Sequence, residues 1–187
     1  GMYFRARYLQ SYIELVENNV SQATSQFEAL EQAISQYMKP RIEELLKARD
    51  IAKKIVTENG KWIDMKAMPP EIRQFLETVS DWSDASVSKS VDRIISLQFS
   101  LTRERDRFRA ESEFSGYAQT VERLAASNAK TLESELVSAA RGAAKAMRVL
   151  KIKSDLGRIE IKWVERTQGV RSIDELLESY KKEVDEV

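Results

Sequence analysis

The chain contains no cysteine and no histidine. Disulfides, thiolate nucleophiles and zinc sites built on Cys or His are therefore excluded, together with the Glu-x-x-His di-iron bundle and the Ser-His-Asp triad. Glycine and proline are scarce, at six and three of 187 residues, so elements should be few and long. No two glycines stand close enough to form a phosphate-cradling loop, and there is no nucleophile elbow. An uninterrupted apolar run of about 18 residues is also missing, so no transmembrane segment is expected. Nor is there a net charge: 30 basic residues balance 30 acidic ones. A global pull on nucleic acid or anionic lipid is not expected, and binding of that kind would have to come from local asymmetry. An enzyme would have to rely on carboxylates, Lys, Arg or Tyr. No catalytic constellation of these is evident, so the expectation is a protein without catalysis, cofactor or metal.

What is present is helical patterning. Charged residues make up 32% of the chain and hydrophobic residues 42%, a balance that suits elongated helices with much surface per unit of core. The first long stretch carries apolar residues at Leu9, Ile13, Val16, Val20, Ala23, Phe27, Leu30, Ile34 and Tyr37, with gaps alternating four and three. That is the a/d spacing of a helix burying a narrow seam, and it predicts one helix that begins within Met2 to Tyr8 and carries its seam from Leu9 to Tyr37. Between Tyr8 and Met38 the chain carries no Lys or Arg.

Pro40 should kink or briefly break the helix, with a second segment running to about Glu58. Asn59-Gly60 is a strong stop, because both residues tolerate the left-handed cap conformation. Residues 61–70 form the clearest connector, and Pro70 suits the first position of the next helix, with Glu71 well placed at its N-terminus. The cluster Ser80, Asp81, Ser83, Asp84 and Ser86 competes for backbone hydrogen bonds and predicts a break there. Helix then resumes into the charged stretch 103–109. Gly116 is the expected site of chain reversal.

A second seam follows at Phe114, Ala118, Val121, Ala125, Asn128, Leu132, Leu136, Ala139, Ala143, Ala146 and Leu150. Two successive gaps of four around Leu132 make it a weaker heptad. Asn128 can fix register if it finds a partner, or it can lie at the seam's edge and meet water. The alanines allow close helix approach, with Phe27 and Tyr37 as large residues to set against them. Beyond Leu150, Asp155-Leu156-Gly157 is expected to end the helix. The segment 155–166 reads as strand or helix, and helix is favoured because a lone strand has no partner. Gly169 should break it again, and the capping box Ser172/Glu175 should start a last short helix.

Three groups are candidates for function. The pairs Glu14/Glu17 and Glu28/Glu31 could share a helix face for oxygen-only metal binding, but a solvated face is the favoured reading. Trp62, Met65 and Met68 in the connector could bind a partner, or could fold over the end of the bundle, which is favoured. Arg141, Lys145, Arg148 and Lys151 open a basic stretch reaching Arg166 that could contact phosphate or lipid headgroups; a solvated face is favoured here too.

The fold expected is all-α, with long antiparallel helices in a three- or four-helix bundle of coiled-coil character. Residues 2–154 would form the bundle and 155–187 a C-terminal helical extension packed on or beside it. The expected function is protein–protein or self association of scaffold type, with a homodimer expected from surplus apolar face. A peripheral protein touching anionic membrane weakly is the alternative, and a toxin-like secreted helical protein comes third. Met2 reads as the native start, preceded by a cloning remnant, and no leader-like apolar segment follows it, so the cytoplasm is the expected location.

Overall fold

The computed structural model describes residues 1–62, 65–109 and 115–185, with side chains described for all of these except 65, 109 and 168–185. The protein is all-helical. The α-helices are α1 (Met2–Val16), α2 (Val20–Leu45), α3 (Ala48–Glu58), α4 (Pro70–Trp82), α5 (Ala85–Arg109) and α6 (Ser115–Asp185). Short 3-10 turns cover Asn59–Lys61 and Met65–Ala67, and no strand occurs among the described residues.

The expected single helix from Leu9 to Tyr37 is in fact two. Asn18 adopts φ 66°, the left-handed region that asparagine tolerates better than most residues. The amide of Asn18 donates to the Leu15 carbonyl at 3.1 Å and that of Asn19 to the Glu14 carbonyl at 2.8 Å. This pair of bonds is the Schellman closure of a helix C-terminus. The register resets across it. Leu9, Ile13 and Val16 are exposed, while Ala23, Phe27, Leu30 and Ile34 are buried.

Pro40 lies inside α2 rather than ending it. The break falls later, at Leu46 and Lys47, where turn bonds run from Leu46 to Ile42 and from Lys47 to Glu44. Proline removes one hydrogen bond, and the packing of Met38 and Leu45 on either side carries the helix past that loss. Asn59 does follow the end of α3, but with φ −57° and not in a left-handed cap. Pro70 opens α4 with Glu71 in its first turn. Glu71 receives the Lys54 ammonium at 2.6 Å, a contact that raises the Lys54 pKa and lowers that of Glu71. The break after Trp82 stands where the serine and aspartate cluster placed it.

Gly116 belongs to the first turn of α6 and does not reverse the chain there; Phe114 lies outside the described residues. No end occurs at Asp155-Leu156-Gly157 and no break at Gly169, because α6 runs unbroken to Asp185 and takes in Ser172 and Glu175. An interior glycine costs a helix only about 1 kcal/mol relative to alanine, too little by itself to terminate a long one.

The chain forms two compact units: Gly1–Tyr37 with Val149–Val187, and Met38–Arg148. In the first, Phe4 and Leu15 of α1, Phe27, Leu30 and Ile34 of α2, and Leu150 and Ile161 of α6 are buried. Phe4 packs against Tyr37 with ring centroids 5.1 Å apart, and Tyr8 meets the edge of Phe27 at 6.1 Å. Gly157 lies under the Phe27 ring, and Arg158 pairs with Glu31. The small residue set against Phe27 is therefore Gly157.

In the second unit, Ile72, Phe75, Val79 and Trp82 of α4 and Val91, Ile95 and Phe99 of α5 are buried, as are Leu132, Leu136, Ala143 and Met147 of α6. Each Val, Leu, Ile, Phe or Met among these, when fully buried, contributes about 1.5–3 kcal/mol. Met147 is buried at the step where Ala146 was expected, and Ala146 is only half-covered. Asn128 finds partners: its Nδ2 donates to Gln98 Oε1 at 2.8 Å and to the Ile94 carbonyl at 3.1 Å.

Candidate functional site

The second unit holds a basic cleft of about 590 Å³. One wall is α6, which presents Arg141, Lys145 and Arg148 at i, i+4 and i+7; the other is the end of α2 and the start of α3. Ala48, Arg49 and Asp50 are the first three residues of α3, so the positive end of that helix faces the cleft. Leu45, Val137, Ala140 and Ala144 supply an apolar floor. Four cations thus stand around one carboxylate, Asp50, in this cleft. Arg49 is partly engaged, since its Nε reaches Glu133 at 2.8 Å. The arrangement can attract an anion bearing an apolar part, but its cations sit on solvated side chains and are screened. Lys151, the fourth residue of the basic stretch, is exposed on α6 in the first unit.

Trp62 and Met68 are core residues of the second unit, 8% and 2% exposed, with the Trp62 ring 6.1 Å from that of Phe99. Packing against the unit accounts for both. The Met65 side chain lies outside the described residues. Of the carboxylate pairs, Glu31 is engaged by Arg158, and Glu14 accepts bonds from Asn19 at 2.9 Å and Gln22 at 3.3 Å. Glu28 is exposed on α2. Among the described residues no group of three or more Asp or Glu is placed to hold a metal ion.

The first unit shows an exposed apolar surface that includes Leu156, Ile159 and Trp163, whose spacing in the sequence reads as one helix face. On α6, Ile152, Leu156, Ile159 and Trp163 are 57%, 52%, 62% and 66% exposed. Their spacing is four, three, four. The buried residues Leu150, Ser154, Gly157 and Ile161 of the same stretch repeat with the same spacing. At 3.6 residues per turn the two stripes lie on nearly opposite sides of the helix. The signal was available: Leu150 to Trp163 carries more apolar positions than one face of a helix can bury. On α1, Leu9, Ile13 and Val16 form a shorter exposed apolar group, away from the buried Phe4, Ser11 and Leu15.

Among the described residues, no helix is long and apolar enough to cross a membrane. No known protein family, characterised protein or solved structure matches this chain.

Proposed function

We propose that this chain is a non-catalytic helical protein that works by association, with a protein partner or with itself, and that the helices of each unit pack as antiparallel bundles with coiled-coil character. The observation that carries this reading is the row Ile152, Leu156, Ile159 and Trp163, each more than half exposed at heptad spacing. Burying such a row is favourable at roughly 25 cal/mol per Å² of apolar surface, and contiguous apolar faces on a protein surface mark sites of contact. The antiparallel arrangement is supported within the second unit by two contacts between α5 and α6. Phe108 meets Tyr117 with centroids 4.8 Å apart, and Gln98 meets Asn128. Moving back along α5 thus corresponds to moving forward along α6. The test is the mass of the pure protein by light scattering over a wide concentration range, together with cross-linked capture from host extract. A monomer at every concentration with no enriched protein partner would overturn the reading.

A second reading is favoured by the basic cleft: contact with a phosphate group or an anionic headgroup through Arg141, Lys145 and Arg148. Attraction close to an anionic membrane amounts to about 1 kcal/mol per basic residue and falls off within a Debye length. The expected result is weak binding to anionic liposomes that vanishes near physiological salt and is lost in the Arg141→Glu, Lys145→Glu, Arg148→Glu triple variant. Parental binding that persists at physiological salt, and is abolished in the variant with helicity intact, would put this reading first.

A further inference from the structure

We infer that the exposed stripe of α6 pairs with the same stripe of a second copy of this chain, the two helices running antiparallel; this rests on the association reading above. Ile152, Leu156, Ile159 and Trp163 occupy alternating d and a positions of a heptad, and all four are more than half exposed. In an antiparallel pair, a positions of one helix meet d positions of the other. Ile152 then faces Trp163 of the second copy and Leu156 faces Ile159, and the two-fold axis repeats both contacts. Four apolar layers result, each made from side chains that this chain leaves in water.

The flanking charges select the partner and the direction. Lys153 and Glu160 lie on one flank of the stripe, both exposed, and Asp155 and Lys162 lie on the other. Antiparallel pairing sets like flank against like flank. Lys153 then faces Glu160 of the second copy, Asp155 faces Lys162, and symmetry doubles each pair. All four are opposite in sign. Parallel pairing would instead set Asp155 against Glu160 of the second copy, twice over, which is like-charge repulsion. An anionic membrane is not favoured either, because both flanks alternate in sign and lack the basic border of an interfacial helix. A self-complementary charge pattern around a point between Leu156 and Ile159 is what a two-fold interface requires. The contact is short by the standard of stable dimers, about 1,600 Å², so it should dissociate on dilution through the micromolar range.

The test is sedimentation equilibrium of the full chain at low salt, with circular dichroism to check helicity. Leu156→Glu should abolish the dimer, and Lys153→Glu and Glu160→Lys should each weaken it roughly three- to tenfold. Combining Lys153→Glu with Glu160→Lys restores opposite charges across the two-fold axis, so the double variant should return to within about twofold of the parent. These two positions are exposed, so their variants report on pairing even if Leu156→Glu disturbs the fold. A parent that stays monomeric overturns the inference, whether or not a different protein is captured. So does a dimer that Leu156→Glu leaves intact, or one that the charge swap fails to rescue. In those last two cases self-association stands and only its surface or direction is lost.

Discussion

The ring of Phe27 occupies the space that a side chain at Gly157 would need: a Cβ there would lie 2.5 Å from Cζ and 2.6 Å from Cε1 of the ring. Phe27 is fully buried, so the ring has nowhere to retreat. Gly157→Ala should therefore destabilise the protein by about 1–3 kcal/mol, against the roughly 1 kcal/mol that alanine normally gains in a helix. Gly142 is the control. A Cβ at that position meets nothing within 4 Å, so Gly142→Ala should stabilise by about 0.5–1 kcal/mol. Denaturant midpoints for the two variants should move in opposite directions. Combining Phe27→Leu with Gly157→Ala should cost less than the sum of the single changes.

Asn128→Ala should cost about 1–3 kcal/mol, because it strips Gln98 of its buried donor. Replacing both Asn128 and Gln98 by leucine should recover most of that loss, since no polar group is then left without a partner. Equilibrium unfolding of the single and double variants measures the difference. Equal losses in both would mean that volume, not hydrogen bonding, governs this contact.

Ser154 is 1% exposed, and its hydroxyl has no hydrogen-bond partner. Removing it relieves an unpaid desolvation and adds helix propensity, so Ser154→Ala should stabilise by about 1 kcal/mol. A melting temperature that falls in the variant would show that the hydroxyl is satisfied in solution.

Tyr8 titrates above the ordinary tyrosine value of 10.0, first because burial penalises the phenolate and then because Tyr12 and Glu160 stand nearby. The folded state thus holds its proton longer than the unfolded chain does. Its contribution to stability is complete below pH 10 and is lost as pH rises through the higher folded value. The parent should lose stability above pH 10 more steeply than Tyr8→Phe does, and denaturant midpoints between pH 8 and 11 test this. Parallel curves would remove Tyr8 as a cause.

The buried row Ala23, Phe27, Leu30 and Ile34 was legible because three-four spacing is what helix packing demands. Its exposed forerunners Leu9, Ile13 and Val16 share that spacing, and nothing apolar distinguishes them. The difference is made by the backbone of Asn18, one polar residue in a polar stretch. Gly157 read as a helix end for a related reason: a glycine signals a turn until the ring that fills its place is known. Met147 and Ala146 are adjacent and both apolar, so spacing alone could not choose between them. Arg141, Lys145 and Arg148 showed their common face in the sequence. Arg49 and the start of α3 are brought to that face from about ninety residues away, and no local pattern announces it.

The unit that holds Phe27 over Gly157 is assembled from both ends of the chain, with the other unit inserted between them. On the ribosome this imposes an order. The inserted unit can close on itself once Arg148 has emerged from the exit tunnel. Phe27, Leu30 and Ile34 must wait longer, until the stretch from Leu150 to Ile161 has been made. At about 5–20 residues per second, the intervening 111 residues (38 to 148) take roughly 5–20 s to synthesise. Throughout that interval the apolar side of α2 lacks the helix that covers it. Nascent chains of this protein thus present a bindable hydrophobic helix to chaperones long before the finished molecule hides it.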